Sequence, residues 1–131
     1  MTMARTGSAA LVACLLLAWP AWAQDDQAAA AEGLRLYTTL CQACHMAEGA
    51  GAGPYPKLAG NPTVQQAGPA YVAQRVLRGY GAMIPFCNLL TVEEVVAIAN
   101  WLPSHLGNAT GAAPVDAAAI RAQWPAPAAC P

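Results

Sequence analysis

The sequence predicts an all-α domain of three to five helices, and three observations carry that reading. Apolar residues recur at three- and four-residue spacing behind recognisable helix-start signals. No stretch alternates apolar and polar residues as a half-buried strand does, and no strand–helix–strand repeat appears. Of 131 residues, 56% are apolar and 10% charged, which excludes a disordered chain and suits one small core.

The first segment is expected to lie outside that core. Arg5 supplies a positive start, Ala9 to Trp19 is an apolar run, Pro20 interrupts it, and Ala21-Trp22-Ala23 offers the small residues a signal peptidase reads. Residues 1–23 therefore read as an export signal, with cleavage after Ala23 and a mature chain beginning at Gln24 in the periplasm. Leu11-Val12-Ala13-Cys14 supports a competing reading, a lipoprotein box that would leave Cys14 lipidated. The apolar run is about half the ~20 residues a membrane-spanning helix needs, and no later run is as long, so no transmembrane segment is expected after cleavage.

Asp25 to about Cys41 predicts a helix whose Gly33, Leu36, Tyr37 and Leu40 share one face. Glu48 to Pro69 carries five glycines besides Pro54, Pro56, Pro62 and Pro69, which predicts a long irregular loop. Pro69 suits the first position of a helix running to Arg78, with Tyr71, Val72, Arg75 and Val76 periodic and Gly79 closing it. Thr91-Val92-Glu93-Glu94 is a capping box ahead of Val95, Val96, Ile98, Ala99, Trp101 and Leu102, and Pro103 ends that helix. The domain is expected over 24–108. An Ala- and Pro-rich extension, 109–131, is expected to pack on it, with one capped helical stretch from Asp116 to Trp124.

Six Lys and Arg against seven Asp and Glu, with no basic stripe, lack the electrostatic footprint of a nucleic-acid binder. The chemistry instead concentrates in Cys41-Gln42-Ala43-Cys44-His45, the attachment signature of a c-type haem. Two thiols three residues apart lie on one side of a helical turn, where they suit two thioethers along one haem edge, and His45 follows as an iron ligand. A thioredoxin-like dithiol needs no following His and sits at a strand-to-helix junction. A zinc site would have to converge Cys41, Cys44, Cys87 and a His without a second paired knuckle.

The second iron ligand follows by elimination. Met1 and Met3 leave with the signal, and Met46 adjoins His45 too closely to reach the other haem face, which leaves Met83. Its loop, Gly79-Tyr80-Gly81-Ala82-Met83-Ile84-Pro85-Phe86, has glycines for close backbone approach and Pro85 to restrain the turn. Met83 as a plain core residue and His105 as a second His ligand are the competing readings. Arg75 and Arg78 are candidates to pair with haem propionates, against the plain reading of solvated helix-surface arginines.

Gly33 and Tyr37, the Cys41–His45 motif, Pro56-Lys57-Leu58-Ala59-Gly60, the Met83 loop and the helix from Thr91 to Leu102 together resemble a class I monohaem cytochrome c, over residues 29–108. The resemblance implies a small fold wrapped around one covalent haem, with the first and last helices crossing at Gly33 and the crossing filled by Tyr37 and Trp101. It implies that the Pro56 carbonyl, with Pro54 as a rival, accepts from the proximal imidazole, and that Leu58 packs against the haem. More narrowly, Tyr55 to Pro62, Met83 to Phe86 and His105 to Asn108 are similar to cytochrome subunits of bacterial alcohol and related dehydrogenases. Ile84 stands where many such proteins have Pro, and Cys87 has no counterpart in that pattern.

The expected function is electron transfer without catalysis: single electrons pass from a flavin, quinone or molybdenum dehydrogenase, as its cytochrome subunit, to a respiratory acceptor. A freely diffusing carrier competes with this. After signal removal, five basic and seven acidic residues offer little electrostatic steering, which favours the docked subunit. A haem-based sensor or enzyme would need an open sixth iron position, which Met83 argues against. Cys87 and Cys130 remain once the haem cysteines are assigned, and in an oxidising compartment a disulfide between them is expected. A buried Cys87 with a free Cys130, or a bridge to a partner chain, are the alternatives.

Overall fold

The computed structural model describes residues 21–130, and among them the regular structure is helical. The expected leader and its Cys14 box lie outside the described residues, apart from 21–23, which open the first helix. That helix, α1, runs Ala21–Leu36, and the chain stays helical past the expected end at Cys41. A wide turn over Tyr37–Cys41 leads directly into α2, Gln42–His45. The side chains explain the widening. Thr38 Oγ1 bonds the carbonyls of Leu34 and Arg35, and Thr39 Oγ1 donates to the Arg35 carbonyl at 2.7 Å. Such back-bonding loosens an α-helical ladder, and here Gln42 N–H reaches back to the Tyr37 carbonyl, a five-residue step.

The expected loop from Glu48 to Pro69 is shorter than its composition implied. Helix α3, Pro62–Arg78, begins seven residues early because the Asn61 side chain caps it, accepting from Thr63 N and Val64 N, with Pro62 in the first turn. Gly68, at φ +66°, then kinks the helix, and the expected segment from Pro69 to Arg78 is its second half. Helix α4, Val92–Trp101, starts on the expected capping box: Thr91 Oγ1 accepts from Glu94 N, and a Glu94 carboxylate oxygen accepts from Thr91 N at 2.8 Å. The cap N–H bonds hold the Glu94 carboxyl below its ordinary range. Helix α5, Ala117–Gln123, is capped by Asp116.

The core forms where α1 and α3 pack on α4. At the α1–α4 crossing a Cβ on Gly33 would overlap the Trp101 side chain, so only glycine lets the two backbones come this close. Tyr37 and Trp101 fill the crossing with ring centroids 5.5 Å apart. Arg35 spans it outside, bonding Glu32 and Glu94, though exposed pairs of this kind contribute only ~0–1 kcal/mol.

The tail lies on α4. Asn100 and Val115 exchange two hydrogen bonds of 2.9 Å, and Ile120 is fully buried. Cys130 is joined to Cys87 by a disulfide, Cα atoms 5.9 Å apart, so neither thiol is free and no partner chain is needed for the bridge. With a sequence separation of 43, the chain-entropy account puts the constraint at about 4 kcal/mol.

Asn108 joins the domain's loops. Its buried Nδ2 donates to the Leu58 and Leu102 carbonyls, and its Oδ1 accepts from Asn61 N at 2.8 Å. Asn108→Ala is expected to cost at least ~1–3 kcal/mol, because buried backbone groups on two segments lose their partner at once. Denaturant unfolding of the purified protein checks this.

Candidate functional site

A cleft of about 930 Å³ opens between the Cys41–His45 turn, α3 and the Met83 loop. Its walls are mostly apolar, and its volume lies within the ~300–1,000 Å³ usual for cofactor pockets. Cys41, Cys44, His45, Pro56, Leu58 and Met83, the six candidates drawn from the sequence, all line it.

The wide turn ahead of α2 brings Cys41 and Cys44 to this wall, both half-buried and unpaired. Burial pushes the Cys41 thiol up to about 11, with Cys44 beside it adding to the effect. A redox-active dithiol needs the opposite, a thiol pKa lowered by cations or a helix N-terminus. The zinc reading fails as well. Cys87 is spent in the disulfide, and no group of three or more His, Cys, Asp or Glu gathers to hold a metal among the described residues.

His45 is buried, and its Nδ1 lies 2.9 Å from the Pro56 carbonyl. A carbonyl only accepts, so Nδ1 carries the proton and Nε2 keeps its lone pair for a metal. Pro56 rather than Pro54 makes this contact. Its loop is fastened from both sides: Gly51 N donates to the His45 carbonyl at 2.8 Å, and the Gly49 carbonyl accepts from Leu58 N and Ala59 N. Tyr37 Oη, donating to the Met46 carbonyl at 2.7 Å, anchors the same turn to the α1–α4 crossing.

Across the cleft, Met83 closes a tight turn in which Tyr80 and Met83 exchange backbone hydrogen bonds of 3.0 Å. Gly79, at φ +67°, ends α3 beneath it. A Cβ there would overlap the Met83 carbonyl and lie 2.9 Å from the Ile84 carbonyl carbon, so the loop folds this tightly only over a glycine. His105 takes no part in the cleft lining. Its ring stacks on Trp101 at 4.6 Å, and its Nδ1 bonds the Trp101 carbonyl.

The two arginine candidates separate. Arg78 turns to the tail, donating to the Gln123 carbonyl at 3.3 Å, and does not line the cleft. Arg75 lines it, held over the Tyr71 and Tyr80 rings at 4.9 and 4.4 Å. Its Nε is buried without a hydrogen-bond partner, a cost that an anionic group in the cleft would remove. These residues fit a haem: two thiols on one turn, an imidazole with its outer nitrogen satisfied, a facing thioether, apolar walls, and one orphaned guanidinium donor for a carboxylate.

Sequence reasoning missed the Asn108 clasp and the widened turn. The adjacent Thr38 and Thr39 were the available signal for the turn. For Asn108 the match of His105 to Asn108 to the dehydrogenase-cytochrome pattern marked the residue but not its partners Leu58 and Asn61, 50 and 47 residues away.

Comparison with known proteins agrees with this geometry. Residues 28–102, more than half of the chain, match the family described as cytochrome C oxidase, cbb3-type, subunit III. The chain is also 32% identical over 101 residues to the fructose dehydrogenase cytochrome subunit of Gluconobacter japonicus, with 66% of this chain and 21% of that protein covered. It thus spans about a fifth of that relative's length. No solved structure matches it. A match over more than half of the chain places it in that cytochrome c family, as a class I c-type electron-transfer cytochrome.

Proposed function

We propose that this chain is a periplasmic, single-haem electron-transfer subunit that takes electrons from a dehydrogenase and hands them to a respiratory acceptor. The observation that carries the reading is the placement of His45 and Met83 on one apolar cleft, where the chain itself would supply two ligands to a haem iron. When bound, haem supplies a one-electron iron couple. Cys41 and Cys44 would tether it by thioethers, His45, oriented by Pro56, would ligate its iron, and Met83 as second ligand would favour a relatively high potential. Arg75, its Nε unpartnered, would be available to pair with a propionate. A fixed ligand pair in both redox states keeps reorganisation small, which is what electron transfer requires.

The dehydrogenase assignment is supported by the likeness to the cytochrome subunit of a fructose dehydrogenase. No helix among the described residues is long and apolar enough to cross a membrane.

Two measurements test the proposal. Mass spectrometry of the purified protein is expected to show one haem, retained through acid and organic extraction, on a chain beginning at Gln24. Extractable haem would refute the thioethers, and a lipid on Cys14 would refute the soluble location. Purification from the native periplasm is expected to recover a dehydrogenase whose substrate reduces the haem within the complex. Recovery of the cytochrome alone, reduced by donors only on diffusional encounter, would make it a mobile carrier instead.

A further inference from the structure

We propose that the disulfide-tethered tail positions the Met83 ligand, acting as a brace on the ligand loop as well as a constraint on the unfolded chain. The inference rests on the reading of Met83 as an iron ligand.

The Met83 loop is closed by its Tyr80–Met83 bonds but buries little side-chain surface of its own. Tyr80 is 73% exposed and Ile84 59%, so beyond those backbone bonds and the contact of the Tyr80 ring with Arg75 its central side chains bury little surface. Ile84 also leaves the residue after the ligand without a proline's fixed φ. The fastening is at the two feet of the loop. At one foot, Arg78 at the end of α3 donates to the Gln123 carbonyl. At the other, Phe86 N bonds the Val76 carbonyl, and the next residue, Cys87, is buried and bridged to Cys130. Asn88 Nδ2 adds a 2.6 Å bond to the Cys130 carbonyl. One segment of the tail therefore grips both feet. That segment is itself seated on the domain, through fully buried Ile120 and the Asn100–Val115 pair. It lies beyond residues 28–102, the part of the chain that matches the family.

Cutting the bridge loosens the second foot, which between the Phe86 bond and the start of α4 then keeps the local bonds of Leu89 and Leu90 to the Phe86 carbonyl and the Asn88 contact. The population with Met83 off the iron then rises. An added ligand binds that population, so its apparent affinity reports the fraction directly. A bridge acting only on the unfolded chain leaves this number unchanged, because it does not alter the equilibrium within the native state.

The test compares the oxidised wild-type holoprotein with the Cys87→Ser/Cys130→Ser variant, titrating each with imidazole under conditions where far-ultraviolet circular dichroism shows both fully folded. The expected result is an apparent imidazole affinity about tenfold higher or more in the variant, with a weaker sulfur-to-iron charge-transfer band before any addition. Equal affinity and an equal band, alongside a lower unfolding midpoint, would overturn the brace. If the variant fails to mature with haem, reducing the bridge of assembled wild-type holoprotein with a phosphine, alkylating the thiols and reoxidising the iron gives the same comparison. Absence of the band in the wild type would instead overturn the Met83 reading, and the inference with it.

Discussion

Met83→Ala is expected to lower the reduction potential of the holoprotein, remove the sulfur-to-iron charge-transfer band of its oxidised form, and open its reduced form to carbon monoxide. Among the described residues, Met83 is the thioether on the cleft wall, and Met46 is not part of that wall. A thioether stabilises ferrous over ferric iron, so its loss shifts the couple downward. His105 cannot replace it without giving up its stack on Trp101 and its bond to the Trp101 carbonyl. Spectroelectrochemistry with and without carbon monoxide reads all three effects. An unchanged band and potential in the variant would place the second ligand elsewhere.

Trp101→Ala is expected to cost about 3–5 kcal/mol, the range for deleting a large buried aromatic. Trp101 is only 6% exposed. It faces Gly33 at the closest point of the α1–α4 crossing, meets the Tyr37 ring on one side and carries the His105 ring on another. Relaxation has little room, because Gly33 offers no side chain to move into the void. Guanidinium unfolding of the holoprotein measures the cost, and a value under ~1 kcal/mol would mean that the crossing is held by other contacts.

What was legible in the sequence had local or type-restricted causes. The Thr91–Glu94 capping box depends on residue identity over a few positions and starts α4 as read, the Cys41–His45 motif lies on the cleft, and the crossing at Gly33 is where the family resemblance implied it. The start of α3 was hidden by counting glycines and prolines between Glu48 and Pro69 as loop formers, although Asn61-Pro62 is itself a cap followed by a first-turn proline. Arg75 and Arg78 stand one helical turn apart, and local pattern cannot divide them. The tail captures Arg78, and two tyrosines hold Arg75 over the cleft. Asn108 is legible only in three dimensions, since it satisfies segments some fifty residues away.

The crossing of α1 and α4 also sets an order of events during assembly. Its partners, Gly33 and Trp101, stand near opposite ends of the family-matched span, and the Cys41–His45 turn lies just inside the first of them. A contact of that sequence separation forms late, because the closure entropy of the intervening chain must be met first. Until nearly the whole domain has emerged, α1 has no partner for its buried face and the two thiols stay accessible. Closure then leaves Cys41 half-buried on the cleft wall. The topology thus leaves the two cysteines more accessible before the crossing closes than after it.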